Sequence, residues 1–427
     1  MKRSHSGTNT GTDDQSSKDR FPIELLSQPI ERSKDYFHNK VFDHAHFETA
    51  LDKTLQAILD PAGRYIVSLY GPSGVGKSQI LYEIQKLLIK MLKRELEMDT
   101  GRLAFVSFQV PPVEGGKPVW TDVYTSYLRG LLDSMLDDKV ELETRGIRAI
   151  RTSSTGSDTF VEIDKNVQIP KLRRAVIVGV RNRRPKAVFM DEAQNLTRTG
   201  NGSAERLRDQ MGVLQFLADQ TKTVHVLAGN YDLRRLLEQG DIVCRRTTDI
   251  HLPAYRLYNR EDVDEFNDML STFQAHLPVA EELDFRKDME YFYGGCLGCI
   301  GTLKQWLEQA LAQALANATV KRGVRRLSKP FRYYLDAALL SQSKMCEMID
   351  AILTEDRRQV EVQSNYQDKR LRFEQGIAQP PRAIALGPNL KGKVKNAKPK
   401  AKGTKPFRRS PGRDAVGQDA PDATLTA

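Results

Sequence analysis

Eight consecutive residues, Gly71, Pro72, Ser73, Gly74, Val75, Gly76, Lys77 and Ser78, complete the pattern G-x-x-x-x-G-K-[ST]. The chemistry of that spacing is phosphate capture. Glycines let backbone N–H groups converge on anionic oxygens, and a following helix adds the positive end of its dipole. Lys77 can then reach the β- and γ-phosphates, and the Ser78 hydroxyl can ligate Mg²⁺. The implied ligand is a nucleoside triphosphate. About 110 residues on, Asp191 and Glu192 close the apolar run Ala187-Val188-Phe189-Met190. A carboxylate at a strand end can hold Mg²⁺ opposite Ser78. Glu192 is placed to polarise an attacking water, a role typically worth ~10²–10⁴-fold in rate.

The elements that must position these groups are legible around them. Tyr65-Ile66-Val67-Ser68-Leu69-Tyr70 reads as a buried strand directly before the glycine loop. From Ser78 to about Glu97, residues Ile80, Leu81, Ile84, Leu87, Leu88, Met91 and Leu92 recur at helical spacing. A helix is expected over His46–Leu59, stopped by Asp60-Pro61-Ala62-Gly63, and strands over Leu103–Val110, Val224–Leu227 and Asp249–Leu252. Helices are expected near Val119–Leu136, Lys171–Arg183 and Ala204–Gln220. This alternation predicts a mostly parallel sheet flanked by helices. Beyond Tyr255 strand signals vanish, and helices near Glu261–Leu277, Arg286–Tyr293, Gly301–Ala316 and Pro330–Arg358 predict a helical lid and a helical extension.

Asn230 ends the strand Val226-Leu227-Ala228-Gly229, where its amide could orient the lytic water or sense the γ-phosphate. It could equally cap a helix over Tyr231–Glu238. Arg245 and Arg246 precede the strand at Asp249; a pair of this kind is ordinarily a solvated face unless its position gives it a task.

Charge is unevenly placed. The 427-residue chain carries a net +10, and residues 391–413 alone supply ten cations and no acid. The rest is balanced. Gly, Pro, Ala and Lys dominate that tail, which cannot bury enough surface to fold alone; it is a solubilising tail or an electrostatic arm for nucleic acid. No apolar run approaches a membrane span, the start carries no secretory h-region, and four cysteines suit a reducing compartment, so a cytoplasmic protein is expected. The expected organisation is a disordered 1–20, an arm at 21–45, an α/β core at 46–254, a lid at 255–325, an extension at 326–377 and a disordered basic tail at 378–427.

This order of motifs resembles an AAA+ ATPase, with Gly71–Ser78 as Walker A, Val188–Glu192 as Walker B, Asn230 as sensor 1 and Arg245/Arg246 as arginine finger. More narrowly it is similar to the TnsC/TniB group of transposition regulators. That likeness rests on Pro118-Val119-Trp120-Thr121-Asp122-Val123-Tyr124, Asp191-Glu192-Ala193-Gln194-Asn195-Leu196, Ile250-His251-Leu252-Pro253 and Gly298-Cys299-Ile300-Gly301-Thr302-Leu303-Lys304. The resemblance covers roughly residues 35–345. It implies an ATP- and Mg²⁺-dependent homo-oligomer, ring or helical filament, on double-stranded DNA, with a transposase and target-selector proteins as partners. It implies Arg245 as the favoured finger, acting on a neighbour's nucleotide and worth ~10³–10⁵ in rate. Lys304 takes the sensor 2 position, where an arginine is commoner, and offers a point charge without a planar fork. Channel-facing loops would supply Lys117, Arg145, Arg148, Arg151 and Arg198 to DNA phosphates, contacts that position without reading sequence.

Other readings stay open. A STAND-like signalling ATPase would act on a partner protein, and a replication-initiator type would usually append a winged helix, for which residues 327–377 look too uniformly helical. Asp191-Glu192-Ala193-Gln194 also matches a helicase signature, but no second RecA-like domain follows. Cys296-x-x-Cys299 lacks a second Cys/His pair at ligand spacing and reads as a buried turn before the lid helix.

Overall fold

A computed structural model describes residues 20–22, 24–25, 28–113, 120–132, 147–151, 159–163, 169–198, 204–238, 245–278, 284–321 and 324–375. Strands β1 (Ile66–Tyr70), β2 (Phe105–Gln109), β3 (Ile147–Arg151), β4 (Thr159–Ile163), β5 (Ala187–Asp191), β6 (Val224–Gly229), β7 (Thr247–His251), β8 (Thr319–Lys321) and β9 (Val324–Arg326) form one large sheet and two hairpins. The large sheet has the order β2-β5-β6-β1-β7, and every pair in it is parallel. A parallel sheet needs cover on both faces. That is why all five residues of β1 are buried and all but Ser68 are apolar or aromatic.

Side chains of each strand alternate between the two faces. Val67, Leu69, Phe189, Val226 and Ala228 pack with Phe47, Ile58, Ile80, Leu81, Ile84 and Leu88 from helices Ala45–Leu59 and Lys77–Met98. Ile66, Val106, Val188, Met190 and Leu227 face the other way, onto Tyr124, Leu172, Val176, Met211 and Leu214 from helices Trp120–Leu132, Ile169–Arg183 and Ala204–Thr221. Registers Tyr70↔Gly229 and Tyr70↔His251 bring the carboxyl ends of β6, β1 and β7 level. In a parallel α/β sheet this edge is where ligands bind.

A third apolar cluster joins helices Arg260–His276, Met289–Cys296, Ile300–Ala316 and Phe331–Ala337. The arm helix Ile30–Asn39 belongs to it, since Phe37 and Phe42 pack on Phe273. His44, the N-cap of Ala45–Leu59, bonds Tyr255 Oη at 2.8 Å, and His46 stacks on the same ring at 4.3 Å. Burial, with the His46 charge second, pushes His44 down to about 3.

The expected strands and main helices are present, with three differences. Hairpins β3–β4 and β8–β9 are not expected from the sequence. The expected helix Pro330–Arg358 is instead two, Phe331–Ala337 and Gln342–Glu374, broken around residues 338–341. The Cys296–Cys299 turn is as expected: both thiols are free and buried, and Cys299 is the N-cap of Ile300–Ala316. The chain divides into two compact units at residues 364 and 365. Described residues of the second carry exposed pairs Arg370–Glu374 and Arg372–Asp368. No helix among the described residues is long and apolar enough to cross a membrane.

Candidate nucleotide site

The loop after β1 has the backbone that phosphate capture needs. Gly74 and Gly76 lie at φ +75° and +113°, a region costly for any side chain. Open space lies where a Gly76 side chain would stand, while a Cβ at Gly71 would meet Leu252 O at 2.1 Å. Helix Lys77–Met98 starts from Gly76 with no side-chain cap, so its first N–H groups face the loop. Lys77 Nζ folds onto the loop, donating to Pro72 O at 2.8 Å and Gly71 O at 3.0 Å. Burial pulls its pKa down to about 8, against the opposing pull of Cys299, Asp191 and Glu192. A cation so desolvated gains more from an anionic ligand than a solvated one does.

Ser78 Oγ donates to Asp191 Oδ2 at 2.8 Å. A hydroxyl and a carboxylate this close form a hard-oxygen pair that fits Mg²⁺. Asp191 Oδ1 accepts from Glu192 N at 2.9 Å, which orients the carboxylate. Glu192 stands at φ +53°, an uncommon conformation for a non-glycine residue and one typical of functional sites. Gln194 Nε2 donates to Glu192 Oε2, and Gln194 Oε1 accepts from Asn230 N at 3.3 Å. Sequence spacing gives Gln194 no role, because Asn230 lies 36 residues away.

Asn230 sits at the sheet's carboxyl edge, its Oδ1 accepting from Asp232 N at 2.9 Å as the cap of a short 3₁₀ turn. This is the capping arrangement; it engages the oxygen and leaves the amide NH₂ as a donor. Lys304 Nζ donates to His38 O at 2.7 Å and pairs with Glu308 at 3.5 Å, so the lid lysine ties the arm to the lid. The lid meets the phosphate loop through other residues: Thr302 N donates to Gly74 O at 2.8 Å, and a Cβ on Gly301 would come within 2.6 Å of that oxygen.

Arg245 and Arg246 lie elsewhere. They directly precede β7, whose Thr247 pairs with Ile66 at the start of β1. That is the amino edge of the sheet, about 15 Å of strand from the phosphate loop. Arg246 pairs with Asp219 at 2.7 Å, whereas the exposed Arg245 has no partner among the described residues. Of the candidate DNA contacts, Lys117 and Arg145 lie outside the described residues, as does the basic tail. Arg148 and Arg151 fall on β3, and Arg198 is exposed after the turn Ala193–Thr197.

A second buried polar group stands beside the site. Arg234, just after the Asn230 turn, lies over the Tyr70 ring and pairs with the buried Glu355 of helix Gln342–Glu374. Arg256 pairs with Asp356 at 2.8 Å. Burial, with Arg234 and Arg256 next, pushes the neighbouring His251 down to about 4.

The family model of the AAA domain matches residues 60–237. With the strand order and the loop geometry above, the fold is that of an AAA+ P-loop nucleoside triphosphatase, with helices gathered in the C-terminal region. Among solved structures, the chain is similar to the Aeropyrum pernix ORC2 protein in its ADPNP–ADP complexes, at 15% identity over 72% of this chain and 73% of that one, with a TM-score of 0.43. It is similar to Aeropyrum pernix ORC1 in complex with DNA at 15% identity, over 75% and 69% of the two chains, with a TM-score of 0.42. Domain III of the Thermotoga maritima replication initiation protein DnaA matches at 16% identity, over 72% and 98%, with a TM-score of 0.38. No curated protein matches this chain.

Proposed function

We propose that this chain is a Mg²⁺-dependent ATPase that assembles on duplex DNA and regulates transposition, with hydrolysis setting how long the assembly stays on its target. One observation carries the hydrolytic part. Lys77, Ser78, Asp191, Glu192 and Asn230 gather at one edge of the sheet, while Arg245, without a partner among the described residues, stands at the other. Arg245 cannot reach its own phosphate loop across that span, so its guanidinium serves a neighbouring copy. Lys77 holds the β- and γ-phosphates, Glu192 takes the proton of the attacking water, and Asn230 orients that water with its NH₂. Ser78 and Asp191 would hold Mg²⁺, which when bound would supply charge that offsets the phosphate oxygens.

The DNA and transposition parts rest on the resemblance of the motif segments to TnsC/TniB regulators and on the ten-cation tail. Transposase and target-selector proteins are the proposed partners. The small net charge of residues 1–390, +3, favours a second reading, an ATPase whose output is a partner protein; it predicts ATP-dependent assembly but no duplex retention once residues 391–427 are removed. The test is duplex binding with ATP, ADP and a non-hydrolysable analogue. Lys77→Ala should abolish ATP-dependent binding and Glu192→Gln should trap the complex. Equal DNA affinity with and without ATP would refute the proposal.

A further inference from the structure

Glu192 has one unusual neighbour. Gln194 is buried, and its backbone is fixed: Thr197 Oγ1 donates to Gln194 O at 2.7 Å, and Asn195 N donates to Glu192 O at 3.0 Å. Its amide lies between the catalytic carboxylate and the end of β6. The direction of that amide follows from chemistry. A backbone N–H such as that of Asn230 can only donate, so the atom facing it must be Oε1. The NH₂ group then faces Glu192, where a carboxylate can only accept. Both ends of the amide are used, and neither works if it flips.

Gly229 makes room for this. A Cβ there would stand 2.5 Å from Gln194 Oε1 and 3.1 Å from Gln194 N, so any side chain on the last residue of β6 drives the amide away. We infer that Gln194 is a positioning residue that ties the rotamer of Glu192 to the position of the β6–Asn230 junction. With one carboxylate oxygen held by Gln194, the other is presented to water, and movement at Asn230 is passed to the base through a single side chain. The inference rests on the hydrolytic reading of Glu192 given above.

Gln194→Met keeps length and burial but removes both hydrogen bonds. Gln194→Glu keeps an acceptor for Asn230 N–H and loses the donor to Glu192. Gly229→Ala displaces the amide while leaving both partners intact. A misplaced catalytic group costs on the order of 10²-fold in rate. All three variants should lower kcat by about that factor with KM and nucleotide affinity within threefold of wild type. Amide hydrogen exchange at Asn230 should accelerate about tenfold in Gln194→Met and Gly229→Ala, and stay slow in Gln194→Glu. A merely structural role would lower melting temperature and affinity together with kcat. Turnover of Gln194→Met at or above the wild-type rate overturns the inference, as does unchanged exchange at Asn230. Wild-type turnover that survives Glu192→Gln overturns the hydrolytic reading instead; the exchange at Asn230 still decides whether Gln194 forms the bridge.

Discussion

Nucleotide binding should weaken as pH rises from 7.5 to 9.5, and the size of the effect follows from Lys77. Its ammonium is buried against the Gly71 and Pro72 carbonyls, and desolvation lowers its pKa from 10.5 to about 8. Such a group is about three-quarters charged at pH 7.5 and about 3% charged at pH 9.5. A bound triphosphate holds the lysine proton, so affinity follows the charged fraction of the empty protein. The expected loss is about 25-fold, or about 2 kcal/mol. It should be measured as Kd for a non-hydrolysable ATP analogue with saturating Mg²⁺ across that range. Lys77→Arg should bind more weakly but with a flat profile, because a guanidinium stays charged. The same ionisation acts on the empty fold in the opposite sense. Between about pH 8 and 10.5 the unfolded chain holds the lysine proton and the native chain does not, so stability without nucleotide rises through that window. Wild-type affinity changing by less than about threefold, or an equal slope in Lys77→Arg, would refute the reasoning.

Two further outcomes follow from the packing around the loop. Gly301→Ala places a Cβ 2.6 Å from Gly74 O, which must push the lid helix off the phosphate loop. Nucleotide affinity should fall at least tenfold, about 1.4 kcal/mol, by the same equilibrium binding measurement. Glu355→Ala leaves Arg234 beside Tyr70 without its buried partner. Urea unfolding should show a loss of about 3–5 kcal/mol, whereas truncating an exposed pair such as Arg286–Asp268 should cost less than about 1 kcal/mol.

The phosphate loop and the main sheet were legible because each has a strong local signature. β1 is apolar or aromatic at every position but Ser68, Lys77–Met98 has clear helical periodicity, and the Asp-Glu pair closes a buried strand. The hairpin β8–β9 was not, since its strands have three residues each and carry charges, leaving no alternation to detect. The contacts that tie the site together join residues remote in sequence. Gln194 reaches across 36 positions to Asn230, and Lys304 across 266 to the arm at His38. The resemblance puts Lys304 in the sensor 2 position; the arm's carbonyl, invisible to spacing, is what it holds here. Asn230 shows the same limit in milder form, because a cap and a water-orienting amide call for the same residue at the same strand end.

We propose that each nucleotide is hydrolysed at a seam completed by Arg245 of the next copy. Mixing Arg245→Ala with Glu192→Gln tests it most directly, since the first lacks the finger and the second lacks the base. At equal amounts, about one seam in four pairs an intact base with an intact neighbouring arginine. Two nearly inactive proteins should therefore recover roughly a quarter of wild-type turnover on mixing. A mixture no more active than its components, or an Arg245→Ala protein that hydrolyses ATP at the wild-type rate, would contradict the account.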